Sequence, residues 1–119
     1  MINFEWDVSN CEVYPNKDGL SDVVHKVHYI IKGIDISNLD DNDNPHFAIE
    51  RGRVYLDTSD LSNFIAWSDL TSEIVQNWVE DNLGADNVAA IKSDIEAKIN
   101  NKINPSSVNK ILGSQWHSV

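Results

Sequence analysis

Leu70-Thr71-Ser72-Glu73-Ile74-Val75-Gln76-Asn77-Trp78-Val79-Glu80-Asp81-Asn82-Leu83-Gly84 is where the chain changes its period. Within it Ile74, Val75, Trp78, Val79 and Leu83 recur at spacings of three and four, which places them on one stripe of a helix. Thr71 is positioned to N-cap that helix, Glu73 lies in its first turn, and Leu70 with Val75 can close a hydrophobic staple. Gly84 stands where a glycine in the C′ position ends a helix. Downstream, Asp86 can cap a second helix carrying Val88, Ile91, Ile95 and Ile99, which runs to about Ile103 before Pro105 stops it.

Upstream of residue 57 the period is two. Ile2, Phe4, Trp6 and Val8 alternate with Asn3, Glu5 and Asp7, the signature of a half-buried strand. The apolar parity then shifts to Cys11 and Val13, and one inserted residue near Asn10, a bulge, accounts for it. Tyr14-Pro15-Asn16-Lys17-Asp18-Gly19 has turn chemistry and predicts the first hairpin. Val23 to Ile31 predicts a second strand, with Val23, Val27, Tyr29 and Ile31 on one face and Lys26, His28 and Lys32 on the other. Gly33 and the polar run Ser37 to Pro45 are expected to end it. A third strand region, Phe47 to Leu56, contains Arg51-Gly52-Arg53, where glycine predicts a bulge or tight turn.

These elements predict an α+β fold: an antiparallel sheet of three or four strands packed against two C-terminal helices, with an extended C-terminal tail. Two striped helices need a common apolar surface, and one face of the sheet supplies it. The expected core includes Phe4, Trp6, Val27, Ile74, Trp78, Ile91 and Ile95, in a single domain over residues 1–104. Residues 105–119 form the tail, rich in Ser and Asn with Val108, Ile111, Leu112 and Trp116 as its apolar content.

The 119 residues carry nine Lys and Arg against nineteen Asp and Glu, a net charge of −10. Such a field repels phosphate backbones, so direct nucleic-acid binding is not expected. The acidic residues are spread along the chain, as on a solvated surface. The single cysteine, Cys11, offers no intrachain disulfide partner, which fits synthesis in a reducing cytosol. No run reaches the roughly 18 apolar residues of a membrane span, and the opening residues lack the pattern of a signal peptide.

His25 and His28 have a spacing that converges on a helix, whereas on a strand residues three apart diverge unless a bulge intervenes. Asp40-Asp41-Asn42-Asp43-Asn44 resembles the start of a calcium loop but lacks its glycine and its twelfth-position glutamate. Cys11 has no recognisable histidine orienter, no Gly-x-Ser-x-Gly elbow occurs, and the five glycines are isolated, so no phosphate loop is present. No enzyme activity, cofactor or metal is therefore expected. The aromatic residues are more informative, because the chain holds four Trp. Trp6 and Trp78 fall on apolar faces and suit the core. Phe64 and Trp67 in the loop before the first helix, and Ile111, Leu112 and Trp116 in the tail, are the candidate partner-binding residues, since aromatic side chains anchor interfaces.

Phe64-Ile65-Ala66-Trp67-Ser68-Asp69-Leu70-Thr71, followed by Val75, Trp78-Val79, Leu83-Gly84 and Ile103-Asn104-Pro105, resembles a small family of bacteriophage proteins common in marine phages, cyanobacterial ones included. Trp6-Asp7-Val8 and the strand around Val23 to Ile31 fit the same resemblance, which spans most of the chain. That family often closes on a proline-rich segment ending in Trp; here Trp116 follows a proline-poor stretch. The resemblance transfers no catalytic residue. It implies a virion structural or accessory protein, made in the host cytoplasm and docked in many copies on other phage structural proteins of the capsid or tail. The alternative from a different class is an acidic host-takeover protein that inhibits a host nucleic-acid-binding protein by DNA-like charge.

Overall fold

The computed structural model describes residues 2–105, 107–110 and 112. Three antiparallel strands, β1 (Ile2–Lys17), β2 (Leu20–Leu39) and β3 (Pro45–Tyr55), form one sheet in the order β1-β2-β3. A single turn of 3-10 helix (Trp67–Asp69) precedes α1 (Ser72–Leu83) and α2 (Ala85–Ile103). Both helices cover the same face of the sheet, α1 over β1 and α2 over β2 and β3. The expected α+β architecture is the observed one, with three strands.

The first hairpin turns on two residues, Asp18 and Gly19, both with positive φ (52° and 82°). This is the Asp-Gly geometry whose twist matches that of the flanking strands. Tyr14 to Lys17 therefore belong to β1 and not to the turn, a correction to the sequence reading. Pro15 is accommodated because β1 is an edge strand, where a missing N–H costs no ladder bond.

The bulge expected near Asn10 is present. Asp7 pairs with Ile30 and Asn10 with His28, so Val8 and Ser9 together oppose Tyr29. The Asp7 carboxylate fixes the kink by accepting from the Ser9 amide (3.0 Å) and hydroxyl (2.6 Å). A second irregularity falls at His25, between the pairs Glu12–Lys26 and Val13–Val24.

β2 does not end at Gly33 but continues to Leu39. A Cβ on Gly33 would stand 2.5 Å from the Ile95 methyl, so the glycine lets α2 settle directly on the sheet backbone. β3 is likewise uninterrupted at Gly52, which pairs with Tyr29 in regular register. A Cβ there would lie 2.3 Å from the Tyr29 hydroxyl. The glycine thus marks where a buried aromatic ring crosses the neighbouring strand, and the predicted bulge or turn is absent for that reason.

Thr71 caps α1 as expected, its Oγ1 accepting from the Ile74 amide at 3.2 Å. α2 starts two residues earlier than Asp86 would dictate: Gly84 is at once the C-cap of α1 and the N-cap of α2, with Asp86 in the first turn. The buried core joins Val8, Val24, Val27, Tyr29, Ile31 and Val54 of the sheet to Val75, Val79, Ile95 and Ile99 of the helices. Val79, Ile95 and Ile99 are fully buried, each contributing about 1.5–3 kcal/mol by removal from water. Phe4, Trp6, Trp78 and Ile91 pack around this centre only partly buried, and Ile74 lies outside it.

Asp35 is a buried carboxylate with 5% exposure. It accepts from the Asn38 side chain and the Ser37 amide, each at 3.0 Å, and these bonds hold its pKa below the ordinary aspartate value. Beyond Asn104 the described residues form neither helix nor strand.

Candidate binding surfaces

From Leu20 to Val24, β2 pairs with β1 alone, because β3 reaches only as far as the Lys26–Tyr55 pair. The outer edge of β2 is therefore open along this arm. β3 leaves the sheet as the Leu56 amide donates to the His25 carbonyl (2.9 Å), and Asn82 of α1 donates to the Tyr55 carbonyl (2.9 Å). The loop that follows is built from local turns. Asp57 accepts from the Ser59 amide (2.9 Å), Asp60 from the Ser62 amide (3.0 Å), and the Leu61 carbonyl from the Phe64 amide (3.1 Å).

Beside the open edge this loop borders a cleft of about 410 Å3. Its walls include Val23, Val24, Leu56, Leu61, Phe64 and Trp78, and its rim carries Asp57, Asp60 and Asp81. The Ser59 hydrogen bonds lower the Asp57 pKa, and those of Ser62 lower that of Asp60. Both carboxylates are thus held ionised at neutral pH, fixed as acceptors by their own loop, and suited to attract a cation rather than to donate a proton.

A second cleft, about 250 Å3, lies between the β1 bulge and the start of α1, lined by Val8, Cys11, Trp67, Leu70 and Val75 among others. Trp67 is 46% exposed on the 3-10 turn, whose backbone is closed by the Asp69 and Leu70 amides. Burial raises the Cys11 thiol pKa, so Cys11 is held in its neutral, less nucleophilic form.

The structure therefore brings two of the sequence-predicted residues, Phe64 and Trp67, onto the same loop at adjacent clefts. Of the tail candidates, Leu112 is 74% exposed, while Ile111 and Trp116 lie outside the described residues. Trp78 packs against the core, partly buried, and also walls the larger cleft. The open edge of β2 was not legible in the sequence, since nothing in Leu20 to Val24 shows where a third strand stops.

His25 stacks on Tyr14 (ring centroids 4.0 Å apart), and His28 contacts Glu12 at 2.6 Å. Although β2 is irregular at His25, the two imidazoles serve different neighbours. Asp40 spends its carboxylate on the Asn42 and Asn44 amides (2.8 and 3.0 Å), closing the β2–β3 loop on itself. Among the described residues no group of three or more His, Cys, Asp or Glu is placed to hold a metal ion, and no helix is long and apolar enough to cross a membrane.

The strands, bulge, loop and helices all fall within the region matched by one known domain family. The chain belongs to that family. It is described as a domain of unknown function (DUF7936), and the match covers residues 1–116, running past the end of α2. No curated protein and no solved structure matches the chain.

Proposed function

We propose that this domain is a non-catalytic docking protein, a virion structural or accessory subunit that holds a segment of a neighbouring particle protein. The observation that carries the reading is the open edge of β2 at Leu20–Val24 beside the apolar cleft of Phe64. An extended segment can add to a free strand edge through its backbone while its side chains fill the adjoining pocket. The Asp57, Asp60 and Asp81 rim favours a segment in which an apolar anchor is flanked by Lys or Arg. Trp67, on the same loop, supplies an exposed anchor of its own. The likeness of Phe64 to Thr71 and the following helices to phage proteins is what points to a particle as the setting, with the partners being other phage structural proteins.

Mass spectrometry of purified particles tests the setting: the protein should be present in many copies. Absence from particles in a lysate that contains the chain would sink it. The cleft is tested separately by Phe64→Asp, which should leave the melting temperature unchanged while abolishing incorporation. Normal incorporation of that variant would place the docking surface elsewhere.

A further inference from the structure

The face of the sheet turned away from the helices takes no part in the docking surface just described. Register fixes which residues stand on it: Asn3, Glu5, Asp7, Asn10 and Glu12 from β1; Lys26, His28, Ile30, Lys32 and Ile34 from β2; Phe47, Ile49, Arg51, Arg53 and Tyr55 from β3. Phe47 and Tyr55 are 48% and 59% exposed. The charges are sorted by strand. Carboxylates occupy β1, guanidinium groups occupy β3, and Ile30 and Ile34 run between them on β2. Glu12 is already engaged by Lys26 (3.2 Å) and His28 (2.6 Å), which leaves Glu5 and Asp7 as the acidic flank opposite Arg51 and Arg53.

We propose that a second copy of this chain covers this face, with the two-fold axis running along β2. An axis in that direction reverses the strand order and keeps each cross-strand row, so β1 of one copy lies over β3 of the other. The row Asp7, Ile30, Arg51 then faces Arg51, Ile30, Asp7. Each Asp7 meets the partner's Arg51, and the two Ile30 side chains meet at the axis. In the adjacent row Asn10 faces the partner's Arg53, a hydrogen-bonding pair. The central cations, which face their own copies, are each engaged within their own sheet: Lys26 between Glu12 (3.2 Å) and the Tyr55 ring (5.0 Å), Lys32 over the Phe47 ring (4.8 Å). The Ser9 hydrogen bonds lower the Asp7 pKa, so its carboxylate is ionised.

Charge complementarity selects the occupant. A nucleic acid would be repelled along β1, and a uniformly acidic or basic partner would clash with one flank. The pattern complements itself because an isologous contact pairs each patch with its symmetry mate. Three strands and about nine residues span roughly 14 by 30 Å, at the low end of specific interfaces, which corresponds to a weak dimer.

Sedimentation equilibrium of the full chain at on the order of 100 µM and low salt should show a dimer that dissociates as salt is raised. Asp7→Arg and Arg51→Asp should each be monomeric alone. Mixed one to one they should dimerise, because both cross-copy contacts are then oppositely charged; the double variant D7R/R51D should dimerise by itself. The helical circular dichroism and melting temperature of each variant identify any that fail to fold, and the double variant decides the matter if one does. A monomeric wild type under these conditions, or single variants that dimerise like wild type, overturns the proposal. Because Phe64 lies on another surface, neither result depends on the docking segment.

Discussion

Tyr29 lies buried across Gly52, with its hydroxyl 2.3 Å from where a β-carbon would stand. Burial and the nearby Glu50 charge raise its phenol pKa, so it remains a neutral, space-filling ring. Gly52→Val should therefore cost about 1–3 kcal/mol by overpacking, read from urea denaturation. In a Tyr29→Leu background that cost should shrink, and equal costs in both backgrounds would show that the ring is not what excludes a side chain. The same pair explains a limit of sequence reading. Gly52 announces an exception, but whether it signals a bulge or a crossing ring depends on a residue on another strand. Pro15 misleads in a similar way: its turn chemistry is genuine, yet on an edge strand the missing N–H is harmless, and the turn belongs to Asp18 and Gly19.

At the scale of elements, patterns that repeat within one segment were legible. The alternation of Ile2 to Val8 survives intact, and the stripe from Ile74 to Leu83 survives except for Ile74, which lies outside the core, since each pattern encodes its own buried face. What depended on contacts between segments was not: the extension of β2 past Gly33, the start of α2 at Ala85, and the cleft beside the open edge. Two substitutions separate these cases. Thr71→Ala should cost about 1 kcal/mol, because the Ile74 amide loses its acceptor. Asp86→Ala should cost only a few tenths of a kcal/mol, because Asp86 interacts with the helix dipole without capping the helix. Thermal melts of both variants check the ranking. In α2, Ile95→Ala should be far more damaging, about 2–5 kcal/mol, since it opens a cavity against Gly33.

For the molecule as a whole, charge and chain order matter most. Asp7, Asp35, Asp40, Asp57 and Asp60 all have folded-state pKa values below the ordinary aspartate value, through hydrogen bonds from nearby side chains and amides. Their contribution is present above the unfolded pKa of about 3.9 and is lost as pH falls through the lower folded values. The melting temperature should therefore fall steeply below about pH 4, and Asp40→Asn should blunt that fall by removing one protonation site. An identical acid profile in the variant would rule out the assigned role of the β2–β3 loop. Deleting residues 106–119 should leave the melting temperature unchanged, because among the described residues the last one packed against the core is Ile103.

The strand order β1-β2-β3 follows the order of synthesis, and the helices come last. From β2 onward each element can thus dock on a partner that has already left the ribosome, and each strand waits only for the next one made. The Asp18–Gly19 hairpin is the entry point of that sequence, so the chain should fold outward from its first turn. Gly19→Ala, which strains a positive φ without touching any neighbour, should slow refolding by nearly its full equilibrium cost and leave unfolding almost unchanged. Such vectorial assembly shortens the time that the long edge of β2 stands exposed to other nascent chains.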